Sequence, residues 1–278
     1  MAATAKIISM HHGGSHGSIS RLISPDALGR ELKPFVLLDR FDGEVYPGSG
    51  FPLHPHSGIA TLTWQPDTDV AYADTTGQSG VLKAGGIEWM NAGGGAWHKA
   101  TFLKKGRAKG FQLWVAMPPS VENGPSEGLY LPPDAVAECA IEGGDVKVLL
   151  GEIEFGENRV TSPIVSHQDM NYLVVTLEAT ACWTYLRPDH HNVAFAVASL
   201  GEPQINGVSL KDQLVVMEER GAITISSGLK PVQVLIGSAL KHQHPLVLGS
   251  GSVHTSEKAL AAGEQLIHSI GLHLQSGR

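Results

Sequence analysis

The amino-acid sequence predicts a mostly β protein built in two halves, and three observations carry that reading. The 278 residues include 33 glycines and 16 prolines but only 17% charged residues, a balance that favours many short elements joined by tight turns over a few long helices. Short apolar or alternating segments recur along nearly the whole chain, without regular helices between them, at the spacing of sandwich or barrel folds. A proline-rich stretch, residues 118–138, holds Pro118, Pro119, Pro125, Pro132 and Pro133 and divides these segments into two series. The chain is longer than the usual domain of about 100–200 residues, so one large or two medium domains are expected; the two series of segments divide it at 1–135 and 136–278.

In the first series PFVLLDRF, IATLTW, VAYAD, GVLKAGGIEWM and GFQLWVAM read as strands. Alternation in Thr61-Leu62-Thr63-Trp64 and in Gln112-Leu113-Trp114-Val115 fits half-buried ones. Residues 118–138 read as a connection. The second series is VKVLLGEIEF, YLVVTLEA, VAFAVASL, QLVVMEE, AITISS and VQVLIGSAL. Asn206-Gly207 marks a two-residue hairpin turn, because both positions tolerate positive φ. One helix is expected from Ser256 to Leu266, with Ser256 as its cap. No internal sequence repeat is visible, so any likeness of the halves is architectural.

Several classes of function are disfavoured. A net charge of -7 and a pI near 6.0 give no global attraction to nucleic acid or to an anionic membrane. The one basic run, Lys104 to Lys109, is broken by a glycine and reads as a solvated loop. Cys139 and Cys182 lack metal-type spacing and imply no disulfide framework, which fits a reducing, cytoplasmic setting. No stretch approaches the ~18 uninterrupted apolar residues of a membrane span.

The chemistry-bearing residues are histidines. In FPLHPHSGIATLTW, His54 and His56 lie two apart, so a strand would turn both to one face. Pro55 between them cannot donate to a β ladder, which places the pair at a strand start, an edge or a bulge. In EWMNAGGGAWHKA a strand beginning near Ala96 would aim His98 at that pair. Three neutral imidazoles with open positions suit a reactive transition-metal centre; the alternative is histidines that are hydrogen-bonded or solvent-exposed at loop ends.

The succession SRLISPDALGRELKPFVLLDRF, FPLHPHSGIATLTW, GVLKAGGIEWMNAGGGAWHKA and GFQLWVAMPP, with PVQVLIGSALKHQHPLVLGSGSVHTS near the C-terminus, resembles the pirin family of the cupin superfamily. The resemblance covers nearly the whole chain. It implies an all-β bicupin, two cupin-type β-barrels packed face to face with a few short helices. It implies one divalent metal, most often iron, in the N-terminal barrel and none in the C-terminal barrel. The metal ligands map onto His54, His56 and His98. Some family members are quercetin 2,3-dioxygenases and others nuclear cofactors of transcription; monomers are what the resemblance implies.

The fourth ligand does not map. Metal-binding pirins carry Glu two residues after the third histidine, where this chain has Ala100, and the Glu common after HPH-x-G-x is replaced by Ala60. Three imidazoles alone predict weaker metal affinity and the loss of a general base. Glu88 and Gln112 are the nearest replacements, though both read as ordinary strand polar groups. His190-His191 reads as a surface loop, and His11-His12-Gly-Gly-Ser-His16 as a flexible terminus. Phe51, Trp64, Trp97 and Phe111 are available to line a pocket or to pack a core.

Two functions follow. The first is a mononuclear iron dioxygenase of quercetinase type taking O2 and an aromatic or flavonol-like substrate. The second is a non-catalytic regulatory protein that binds a protein partner and keeps a weakened metal site. Neither needs nucleic acid or membrane.

Overall fold

The computed structural model describes residues 3–276, and their chain is overwhelmingly β. The strands fall into two compact units, and the boundary is not a single cut near residue 135. One unit joins residues 3–14 to Val136–Lys241; the other joins Ser15–Ala135 to residues 242–276. Each end of the chain therefore belongs to the unit formed mainly by the other half of the sequence.

The unit of Ser15–Ala135 and residues 242–276 has a seven-stranded sheet in the order Glu127–Leu131, Ile87–Asn91, Ile59–Trp64, Gly106–Ala116, Phe35–Val45, Ile19–Ile23 and Gly14–His16. Its four-stranded sheet runs Gly50–His56, Ala96–Phe102, Val70–Asp74, Ser79–Leu82. The predicted strands Ile59–Trp64 and Val70–Asp74 are found with those bounds, and the strand expected near Ala96 starts there. The connection 118–138 is more structured than its prolines suggest. Glu127–Leu131 pairs with Ile87–Asn91 and extends the larger sheet, and a short 3-10 turn covers Pro133–Ala135. Prolines at either side of the strand, not inside it, leave its ladder intact.

The other unit repeats the plan. Its seven-stranded sheet runs Ile7–His12, Gln213–Met217, Val193–Leu200, Val232–Ala239, Met170–Leu177, Gly144–Leu150, Ala137–Ile141; its four-stranded sheet runs Cys182–Tyr185, Ile223–Ser226, Gln204–Ile205, Val208–Ser209. The hairpin turn is Asn206-Gly207 as predicted, with φ of 49° and 81°. The N-terminal segment expected to be flexible is a strand, paired with Gln213–Met217 from Ile7 to His12. Apolar side chains of both sheets meet in one fully buried cluster that includes Val146, Leu173, Ala196, Val215, Ile236, Ile223 and Ile225.

The C-terminal helix spans Glu257–Ser276, ten residues past the predicted end. Ser256 does cap it, accepting from the Ala259 N–H at 3.2 Å. The extension passes through Gly263 and Gly271, whose low intrinsic propensity argues against it. Packing decides otherwise. A Cβ on Gly263 would lie 2.5 Å from Ser57 Oγ, and one on Gly271 would lie 2.8 Å from the Trp97 ring, so both glycines admit the helix to close range. Both cysteines are free, and no described helix is long and apolar enough to cross a membrane.

A packing test follows from Gly237, which sits between Tyr172 and Phe195 on its two neighbouring strands. A Cβ there would lie 2.2 Å from the buried Phe195 ring. Gly237→Ala is expected to destabilise this unit by about 1–3 kcal/mol through overpacking, read as a lower midpoint in urea denaturation.

Candidate metal centre

The three predicted histidines come together on the smaller sheet of the unit that contains them. Gly50–His56 is the edge strand of that sheet, as Pro55 requires, and His54 pairs directly with His98 on Ala96–Phe102. His56 stands opposite Ala96, one pleat further along the same face. The side chains of His56 and His98 are buried and that of His54 is half-buried. Lys99, next to His98 on the strand, is exposed on the opposite face.

Each imidazole is oriented by an acceptor on its Nδ1. His54 Nδ1 donates to the Pro52 carbonyl at 2.6 Å, His56 Nδ1 to the Gly251 carbonyl at 2.8 Å, and His98 Nδ1 to Glu88 Oε1 at 2.7 Å. A carbonyl or carboxylate can only accept, so the proton of each neutral ring is on Nδ1 and the lone pair is on Nε2. The donor atoms of the trio lie within 4.8 Å of one another. His54 Nε2 and His98 Nε2 are 3.0 Å apart, and His56 Nε2 is buried without a hydrogen-bond partner. Two nitrogens bound at about 2.1 Å to one ion, at roughly a right angle, have that separation. Burial, followed by the neighbouring His98, holds His56 down to about 3 and His54 below the usual histidine range, so both rings are neutral ligands at physiological pH. The residues present therefore fit a divalent transition metal.

Glu88 is the main addition to the sequence reading. It lies in the fully buried strand Ile87–Asn91, 5% exposed, with its carboxylate on His98. Burial alone would raise its pKa, but the adjacent His98 and their hydrogen bond outweigh that and hold it below the usual carboxylate range. A carboxylate charge is thus present one layer back from position 100, on His98 Nδ1, where it orients that ring. A charged residue inside an apolar strand was the available signal. Nothing in the sequence marks Gly251 or Pro52, which act through backbone carbonyls.

His54 and His98 line a cavity between the two sheets of this unit. Phe41, Phe51, Val70, Leu82 and Phe102 make it apolar; Thr63, Gln65, Gln112 and Glu88 supply its polar edge; and Ala100 lies on its wall. Gln65 is buried, and its Nε2 has no partner. Tyr72 and Tyr130 stack at 3.5 Å with their planes at 11°, and Tyr130 donates to Asp74 at 2.8 Å. The space left for a water-sized body is only about 20 Å3, roughly one water.

The four aromatic residues divide between the roles open to them: Phe51 lines the cavity, Trp64 and Phe111 pack in the core, and Trp97 donates its Nε1–H to the Ile267 carbonyl at 2.9 Å. Ala60 is fully buried on the face of Ile59–Trp64 opposite Thr63, so a carboxylate there would not enter the cavity. His191 is no surface-loop residue: it is 1% exposed and hydrogen-bonded through both nitrogens. His11 and His12 belong to an ordered strand.

Fold and site together define a double cupin-type β-barrel protein with a three-histidine candidate metal centre in one barrel. A family profile described as Pirin matches residues 18–115. A pirin-like protein from Caulobacter vibrioides is 36% identical over 191 residues, covering 66% of this chain and 67% of that protein. The chain belongs to the pirin family. Alignments with further curated relatives, from Vibrio cholerae and Arabidopsis thaliana, span about half the length of those proteins. Among solved structures, a quercetin 2,3-dioxygenase from Acinetobacter baumannii superposes with a TM-score of 0.85 at 21% identity, over 95% of this chain and 96% of that one. The bacterial pirin YhhW of Escherichia coli in complex with nickel(II) gives 0.64 at 18%, over 87% and 100%. At these identities the structures share the fold.

The role of Glu88 has a direct consequence. Removing a carboxylate that orients a ligating histidine typically weakens metal binding 10–100-fold. Glu88→Gln, close in shape but uncharged, is expected to show a loss in that range by competition against a fluorescent chelator.

Proposed function

We propose that the barrel carrying His54, His56 and His98 holds one divalent ion, iron in the cell, and works as a mononuclear oxygenase of quercetinase type on a flat, hydroxylated aromatic substrate. The observation that carries this reading is the convergence of three Nε2 lone pairs, enforced by three Nδ1 acceptors, with His54 and His98 on the wall of an aromatic-lined cavity. Bound there, the ion would supply Lewis acidity toward a phenolic oxygen and redox access to O2. The name of the Acinetobacter relative in fold, a quercetin dioxygenase, and the nickel held by YhhW support the same class of chemistry.

The rest is done by this chain's side chains. The rings of Phe41, Phe51 and Phe102 offer flat apolar walls and exclude water. The unpartnered Gln65 amide is a donor for a substrate oxygen. A flavonol is far larger than the closed cavity, so its entry requires the Tyr72–Tyr130 stack to part, with Tyr130 leaving Asp74. No carboxylate projects from position 100 to take a phenolic proton, and a positioned general base is typically worth about 10²–10⁴-fold. Turnover is therefore expected to be slow. The closed cavity and Ala100 favour, as the second reading, a metal-holding regulatory protein that binds a protein partner. Free Cys139 and Cys182 are consistent with a cytoplasmic setting for either.

Metal content and oxygen consumption separate these. Protein from iron-supplemented medium is expected to hold close to one equivalent, lost in His98→Ala; equal metal in both proteins would remove the three-histidine centre. Slow quercetin-dependent O2 uptake supports the oxygenase, whereas metal without any uptake assigns the chain to the regulatory reading. Ala100→Glu is expected to raise metal retention during dialysis against EDTA, and unchanged retention would show that position 100 does not face the ion.

A further inference from the structure

The unit of residues 3–14 and Val136–Lys241 carries a second convergent cluster that the reading above does not use. His190 Nε2 and His191 Nε2 each lie 2.9 Å from a different oxygen of Asp169. The three ligand-type atoms fall within 4.8 Å of one another, and the two rings stand edge to face, 4.9 Å apart at 84°. They lie on the wall of an open cavity of about 690 Å3.

The cluster is anchored from behind. The Glu152 N–H fixes the Asn171 amide by donating to its Oδ1, so Asn171 Nδ2 donates to Tyr185 Oη at 2.7 Å. Tyr185, Ser238 and His191 Nδ1 continue the chain at 2.9 Å per link. Asn171, Tyr185, Ser238 and His191 are all buried, so His191 is presented to the cavity on a rigid base with its Nε2 outward. His190 and Asp169, both about half exposed, reach it from the cavity side.

We propose that Asp169, His190 and His191 form a second binding site for a divalent first-row transition metal, independent of the three-histidine centre. Two imidazoles and one carboxylate with open positions toward solvent are a donor set for zinc, cobalt, nickel or iron(II), not for calcium or magnesium. The surrounding charge suits a cation. Glu152, Glu154 and Asp189 line the same cavity. Arg159 pairs with both glutamates, and Arg187 is buried with one Nη on the Glu218 carbonyl. Stability alone does not account for the arrangement, because half-exposed pairs of this kind contribute about 0–1 kcal/mol. An ion bound at His191 Nε2 would take that atom's lone pair, so the ring proton would sit on Nδ1, beside Ser238 Oγ at 2.9 Å.

The test is a cobalt(II) titration of the full-length protein, followed by calorimetry and by visible absorption. Wild type is expected to bind two equivalents, with His98→Ala and Asp169→Asn each binding one. His190→Ala alters only a half-exposed ring, leaves the buried anchor in place, and is expected to weaken the second equivalent at least 10-fold. A second equivalent that persists unchanged in both Asp169→Asn and His190→Ala belongs to other histidines and overturns the proposal, as does a single equivalent in wild type that His98→Ala abolishes. One equivalent lost in Asp169→Asn and kept in His98→Ala would uphold this site while removing the three-histidine centre.

Discussion

Three Nδ1–H groups, each held by an acceptor that cannot donate, turn three imidazole lone pairs toward one point. That arrangement is electrostatically unfavourable without a cation between them, and much of the surrounding unit serves to maintain it. The edge strand Gly50–His56 supplies two rings and the Pro52 carbonyl. Its neighbour Ala96–Phe102 supplies the third ring in direct register with His54. The larger sheet supplies Glu88, and the segment before the terminal helix supplies the Gly251 carbonyl. A ligand set assembled from four separate stretches of chain is rigid only when all four are packed, which is why the C-terminal segment belongs to this unit and why Gly263 and Gly271 let the helix lie so close to Ser57 and Trp97.

The two units show how one architecture carries different interiors. Each has a seven-stranded and a four-stranded sheet. In one, aliphatic side chains from both sheets fill the space between them. In the other, the inward positions of the smaller sheet carry histidines and those of the larger sheet carry Thr63, Glu88 and Gln112, with Gln65 just past the end of Ile59–Trp64, and a cavity remains. Buried polar groups of that number are costly unless paired with each other or with a ligand. Function here resides in a few inward substitutions on a common frame, and fold alone does not decide it.

Much of this was readable in one dimension. Strand positions followed from alternation, the Asn206-Gly207 turn from its φ requirement, and the shared face of His54 and His56 from the two-residue period of a strand. Ala100, which the family resemblance put at the position of the absent glutamate, lies on the cavity wall. Ala60 was misjudged because its face depends on which side of Ile59–Trp64 meets the smaller sheet. His191 was misjudged because its burial and hydrogen bonds depend on Asp169 and Ser238, 22 and 47 positions away in the chain, which no periodic rule brings together.

The sequence by itself determined what local geometry determines: the β character, the turns, the three histidines and the absence of a carboxylate at position 100. Only the tertiary structure decided which backbone carbonyls lock the rings, that Glu88 stands behind His98, that Tyr72 and Tyr130 stack on the cavity wall, and that the chain ends exchange units. The physical reason is that these contacts join residues far apart along the chain, some through main-chain atoms that every residue type possesses, so no local pattern of side chains encodes them.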